Sequence, residues 1–257
     1  MDDRPKESTE VEASWVTADL AIFTIRGDQL MVLLVERGRE PFLGQPALPG
    51  GYVRKGETLR DGALRELWEE AGIDGRRLHL EQIGAYGDPG RDPRGRVVTI
   101  AYLALGPDLP VPVGGTDAKR AYWAPVSQPT DDGRKLAFDH PIILADALEE
   151  IRRKIEYTAV ATAFCGDLFT LSDLRTVYEV IWGQQLDPSN FRRKVLNSSG
   201  FVQPTGEQRL PHTGRPAALY RRGNTWLLSP PLLRGSGHVG RAGADGDAAP
   251  SKARPMR

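Results

Sequence analysis

The chain has 257 residues, 34 Lys/Arg against 34 Asp/Glu, and a single cysteine, Cys165, which excludes an intramolecular disulfide framework and a cysteine-rich zinc site and fits a reducing, cytoplasmic setting. Its acidic, polar opening, MDDRPKESTEVEAS, is no secretory signal, and the longest apolar run, near Met31–Val35, is far too short to span a membrane. The neutral total hides a split: residues 1–170 hold 21 Lys/Arg and 28 Asp/Glu, a net of −7, while residues 171–257 hold 13 and 6, a net of +7. Such halves predict two domains with different partners, the basic one either meeting a polyanion or ending in a solvated basic tail.

In chain order, residues 1–13 lack hydrophobic periodicity and read as disordered. LAIFTIR and QLMVLLVER are apolar, β-rich runs separated by Gly27-Asp28, a hairpin signal. ALPGGYV reads as a shorter strand entering a glycine turn. An acidic helix follows, started by Thr58 with Asp61 three residues later and ended by Gly72. Strand signals resume in LEQIGAY and RVVTIAYLAL, joined by the loop GDPGRDPRG, and close in AYWAPV. Strands around one central helix predict an α/β (α+β) domain over residues 14–157, with an α/β/α sandwich among its forms. Its last helix, PIILADALEEIRRKI, repeats apolar residues at Ile142, Leu144, Ala145, Leu148, Ile151 and Ile155, with Asp139 to cap it, Pro141 in its first turn and His140 at its start.

A second unit over residues 158–230 begins with the helix TLSDLRTVYEVIW, where Thr170 and Asp173 form a capping box and Gly183 ends the run. The helix PSNFRRKVLN follows, capped by Asp187. Two extended stretches, FVQPTGEQRL and GRPAALYRR, come next. Residues 231–257 again read as disordered.

On the acidic helix Glu66, Glu69 and Glu70 stand at i, i+3 and i+4 and share one face, while Leu64, Leu67 and Ala71 supply an apolar one. Clustered hard oxygens suit Mg²⁺ or Mn²⁺, although a pair of glutamates on a helix is by itself usually a solvated surface. The wider spacing argues for chemistry. Gly51 is followed after five residues by Glu57, and after seven more by Arg65-Glu66-Leu67, then Glu69-Glu70 and Gly72-Ile73. This resembles the Nudix box at every defining position. The resemblance implies a Nudix fold in which Glu66, Glu69 and Glu70, assisted by Glu57, hold Mg²⁺ (or Mn²⁺) against a pyrophosphate and activate water for in-line attack. Arg65, four residues before Glu69, would orient that carboxylate.

Gly51 and the arginines Arg37, Arg91, Arg94 and Arg96 form the candidate ligand contacts, because guanidinium forks pair with phosphate oxygens. VERGREPFLGQPALPGGYV and RDPRGRVVTIAYLAL look like the ADP-ribose-recognising branch of Nudix proteins, many of which carry an aromatic residue where Pro46 stands.

Two short helices and a hairpin suit a winged helix-turn-helix, whose second helix enters the major groove of double-stranded DNA. Ser189, Asn190, Arg192, Arg193 and Lys194 would contact phosphates and base edges there, Phe191 and Val195 would face the core, and Arg215 would contact DNA from the wing. LAFDHPIILADALEEIRRKIEY, FTLSDLRTVYEVIWG, DPSNFRRKVL and GRPAALYR are similar to the Nudix-related transcriptional regulators of NAD metabolism, the NrtR family. The resemblance runs from about Val16 to Arg222. It implies a homodimeric repressor of NAD synthesis or salvage genes, bound to a palindromic operator and released by ADP-ribose. Many such regulators have damaged boxes; this box is complete, so Mg²⁺-dependent ADP-ribose pyrophosphatase activity is expected to survive. The rival expectation is a Nudix hydrolase whose C-terminal part serves dimerisation or solubility.

Overall fold

Residues 13–112, 118–130, 133–210 and 216–234 are described in a computed structural model. Arg215, and most of both ends expected to be disordered, lie outside the described residues.

Strand β1 (Trp15–Arg26) and strand β2 (Gln29–Arg37) form the hairpin expected at Gly27-Asp28, with Arg26 facing Gln29 and Gly27 at φ 61°, a value that a glycine adopts freely. The expected ALPGGYV strand is split in two, β3 (Pro46–Ala47) against β2 and β4 (Gly50–Tyr52) against β1. Strands β5 (His79–Tyr86), β6 (Val97–Leu105) and β7 (Ala118–Pro125) complete a seven-stranded sheet with the order β3-β2-β1-β6-β5, β4 and β7 pairing with β1 and β2. Only β1 and β6 run parallel.

Central β1 is buried on both faces, which explains its nearly continuous apolar sequence. Ala18, Leu20 and Ile22 pack with Ala63, Leu67 and Ala71 of helix α1 (Leu59–Ala71). Ala21 and Phe23 join the cluster of Ile143, Ala147, Ile151 and Ile155 from helix α2 (His140–Tyr157). The acidic helix is therefore one outer layer of a sandwich, not its centre. Thr58 caps α1 by accepting from the Asp61 amide, but Asp61 takes the Thr58 hydroxyl instead of returning a backbone bond, so the capping box is half formed.

The buried face of α2 differs from the expected one. Ile142 is 58% exposed and Ala145 also faces outward, whereas His140, Ile143, Leu144, Ala147, Ile151 and Ile155 are buried. His140 sets this phase: its Nδ1 accepts from the Leu48 amide at 2.9 Å, and residues one turn further on follow it inward.

The second unit holds strand β8 (Phe169–Thr170), helix α3 (Leu171–Trp182), helix α4 (Pro188–Asn197) and strands β9 (Val202–Arg209) and β10 (Ala217–Arg222), with sheet order β8-β10-β9. Both arms of the Thr170–Asp173 capping box are formed, and Gly183 ends α3 in the left-handed conformation. Residues 231–234, read from sequence as part of the tail, are packed in place: Leu232 is buried and its amide donates to Glu156 O. One apolar cluster runs from β1 through α2 to Tyr178, Phe191 and Leu232, so the two units share a core.

Candidate functional site

A cleft of about 380 Å³ opens where the end of β2, β4, the C-terminal half of α1, the β5–β6 loop and the start of α2 meet. Glu66, Glu69 and Glu70 line it, as their shared helix face predicts. Arg65 lies at the centre of the acidic set. Its Nε donates to Glu57 at 2.6 Å, and its Nη1 to Glu66 at 2.5 Å and Glu69 at 3.1 Å. Expected to orient one carboxylate, it gathers three. Arg54 Nη2 donates to both oxygens of Glu69 at 3.0 Å.

Glu70 accepts from the Gly50 amide at 2.9 Å. Burial pushes its carboxyl up to about 8, aided by the nearby charges of Glu66 and Asp19. Burial also raises Glu66, whereas hydrogen bonds from Arg65 hold Glu57 down at about 2. Gly51 belongs here for steric reasons, since a Cβ at this position would lie 2.5 Å from Glu66 Oε1. A Cβ on Gly50 would lie 2.2 Å from Asp19 Oδ1 and 2.5 Å from the Ala18 carbonyl.

Among the described residues no three His, Cys, Asp or Glu side chains stand together as a ready metal cage. The chemistry of the donor set nonetheless fits a hard divalent cation: three partly buried glutamates line one cleft beside a glycine pair that lets them approach the sheet. Such ions are usually bound through one or two carboxylates plus substrate phosphate oxygens, with no complete protein cage.

The arginines divide. Arg37, Arg91 and Arg94 line the cleft, and Arg96 does not, its Nη1 donating to the Gly87 carbonyl of its own loop. Arg91 is held by Asp139 through a fork, Nε at 2.8 Å and Nη2 at 2.6 Å. Arg94 forks onto Asp92 and lies 5.1 Å from the Tyr52 ring centroid. Sequence reasoning missed Tyr52, Phe138, Asp19 and His140, all in the lining. Asp19 did leave a signal, as a lone charge inside an apolar strand. Burial works to raise its carboxyl, but His140 and Arg91 outweigh it and hold it low.

Far from the cleft, Phe191 and Val195 bury α4 against α3, with the Phe191 ring edge-on to Tyr178 at 5.3 Å. Ser189, Asn190, Arg192, Arg193 and Lys194 are all exposed. At about 100° per residue, Ser189 and Arg193 point most directly away from the core. Asn190 and Lys194, one turn apart, border a crevice shared with Leu232 and Leu233, and Asn190 Oδ1 accepts from Arg193. Arg221 and Arg222 are exposed on the wing strand β10.

The NUDIX domain family model matches residues 5–145, and the NrtR DNA-binding winged helix domain model matches residues 162–222. Fold and cleft thus define a Nudix-domain protein that carries a winged helix. Over 217 residues the chain is 35% identical to the ADPR responsive transcriptional repressor NtrR of Acinetobacter baylyi, with 84% of each chain covered. Shewanella oneidensis NrtR complexed with a 27mer DNA superposes with a TM-score of 0.67 at 32% identity, covering 80% of this chain and 93% of that one. ADP-ribose pyrophosphatase of Methanocaldococcus jannaschii is 39% identical over 117 residues, 45% of this chain and 64% of that protein. The chain belongs to the NrtR family of Nudix-related transcriptional regulators.

Proposed function

We propose that the chain is a transcriptional repressor that binds double-stranded DNA through α4 and the wing and is released when ADP-ribose enters the Nudix cleft. One observation carries this reading: an arginine-lined cleft bearing a complete Nudix box shares a hydrophobic core with a helix whose outward face is basic. Likeness to an ADPR responsive repressor over 84% of the chain supports both ligand and role. A homodimer on a palindromic operator, controlling genes of NAD synthesis or salvage, follows from the family resemblance and the usual matching of dimer symmetry to half-sites.

The complete box supports a second activity, cleavage of ADP-ribose to AMP and ribose 5-phosphate. Mg²⁺ (or Mn²⁺) would supply charge neutralisation at the diphosphate. The chain itself supplies Glu66, Glu69 and Glu70 to hold the cation, Arg65 and Arg54 to fix those carboxylates, and Arg37 and Arg94 to meet phosphate oxygens.

The test is fluorescence anisotropy with promoter fragments from NAD-metabolism operons, with and without ADP-ribose, beside a turnover assay with Mg²⁺. Sequence-specific, salt-dependent binding that ADP-ribose weakens supports the repressor. Turnover without any specific DNA binding leaves a hydrolase with an accessory C-terminal unit. Glu69→Gln should abolish turnover and spare operator binding.

A further inference from the structure

Resting on that reading, we infer that the Arg91–Asp139 ion pair is the latch by which a diphosphate in the cleft acts on the DNA-binding unit. The ligand takes the Arg91 guanidinium from Asp139, and the released start of α2 shifts the winged helix.

All three sequence-flagged arginines that line the cleft rest on the dipeptide immediately before α2. Arg91 forks onto Asp139, while the guanidinium carbons of Arg37 and Arg94 stand 4.6 and 5.6 Å from the centroid of the Phe138 ring. A dianionic ligand that recruits these guanidinium groups therefore removes the arginine contacts of residues 138 and 139, leaving Phe138 against the rings of Phe42 and His140. Phe138 is held at φ 54°, a conformation that a bulky side chain rarely adopts unless its surroundings enforce it.

Asp139 also has another place to go. It occupies the N-cap position of α2, yet its side chain makes no capping bond: Arg91 holds it, the His140 and Ile142 amides donate to the Ala137 and Asp139 carbonyls, and Pro141 has no N–H. A carboxylate freed from Arg91 stays beside the positive end of the helix dipole, which favours its charge. Paired with Arg91 or left facing the helix terminus, the carboxylate is favoured in both arrangements, which is what a two-state element requires.

The far end of α2 is fastened into the second unit. Tyr178 Oη donates to Ile155 O at 2.9 Å, Arg152 Nε to Ile181 O at 3.2 Å, and the Leu232 amide to Glu156 O at 2.8 Å. With 18 residues, α2 carries a displacement at its start over about 27 Å to α3, against which α4 packs.

The experiment measures operator affinity by anisotropy with and without saturating α,β-methylene ADP-ribose, which resists hydrolysis. Wild-type affinity should weaken by roughly 5–150-fold, the usual span of such coupling. Asp139→Asn should bind operator weakly without ligand, near the liganded wild-type value, and respond by about threefold or less. Arg91→Lys, which keeps the charge but loses the fork, should fall between the two. A wild-type response in Asp139→Asn overturns the latch. No response in wild type instead overturns the functional reading on which the latch rests. Should both variants misfold, hydrogen exchange of the wild-type Ile142 and Ile143 amides decides: altered protection with the analogue supports the latch, and unchanged protection overturns it.

Discussion

Glu70→Gln isolates the energetic cost of the proposed cation site. The Glu70 carboxyl is buried behind the Gly50 amide, and its affinity for a proton rises from the ordinary value of 4.5 to about 8. Folded protein therefore binds this proton more tightly than unfolded chain does. Below about pH 4.5 both states are protonated and nothing is lost. Between there and about pH 8 the unfolded state ionises while the folded state does not, so folding stability falls as pH rises, by about 1.4 kcal/mol per unit at most. From pH 6 to pH 8 the loss amounts to about 2–3 kcal/mol. For a chain of this size that is about 5–10 °C in Tm. Glutamine cannot titrate, so the variant lacks this component. Thermal unfolding of DNA-free protein in EDTA at pH 6, 7, 8 and 9 measures it as the difference between the two slopes. Millimolar Mg²⁺ should flatten the wild-type profile, because a cation replaces the proton, and leave the variant nearly unmoved. Parallel wild-type and variant profiles would refute the desolvation argument and mean that the carboxylate is ionised in the fold.

Gly51→Ala should keep the fold, since the flexible end of Glu66 can yield, but should weaken Mg²⁺ binding, as read by isothermal titration with ADP-ribose present. Gly50→Ala meets the Ala18 backbone instead and should cost about 1–3 kcal/mol in urea denaturation. Phe191→Ala removes a buried ring between α4 and α3 and should cost about 3–5 kcal/mol, with loss of specific DNA binding. Arg193→Ala, on the outermost face of α4, should change stability by less than about 0.5 kcal/mol yet lower operator affinity. If its contact is to phosphate, the slope of log affinity against log salt falls by about 1.

How legible each part was depended on how local its cause is. Gly27-Asp28, Thr170–Asp173, Gly72 and Gly183 act within a few residues, and each turn or helix end appears where its local signal put it. The Nudix box is legible for the same reason, because four of its carboxylates lie within 14 residues and on one helix or its lead-in. Tyr52, Asp19 and the Phe138–His140 pair come from three separate stretches, β4, β1 and the start of α2, and no periodicity announces that they will meet. Phe138 reads as one apolar residue in a loop; only the sheet brings it to Arg37, 101 positions earlier. Asp139 misled because two physical roles compete for one carboxylate: the local rule assigns it to the helix start, and a bidentate, largely buried arginine wins it. The phase of α2 failed similarly, since Ile142 fits helical spacing as well as Ile143 does until His140 is anchored to Leu48.

The charge split acquires a mechanical meaning once the shared core is considered. On the proposed reading, the negatively charged Nudix unit repels a DNA backbone, so the approach is oriented with α4 and the wing toward the duplex before contact. If the two units were joined by a free linker, that orientation would be lost with each rotation. They are fastened at several places instead. One is the packing of α2 on α3. Another lies at the edge strand β5, where His79 stacks on Trp226 at 5.5 Å and Arg222 of β10 lies over the same indole, while Glu81 ties β5 to Lys154 of α2 within the Nudix unit. A displacement of α2 must therefore either break the β5 contact or turn the winged unit about it. With β5 as the fixed point, a shift at Asp139 becomes a rotation of α4 and the wing relative to the Nudix sheet. Half-site spacing on a duplex is sensitive to rotation of that kind.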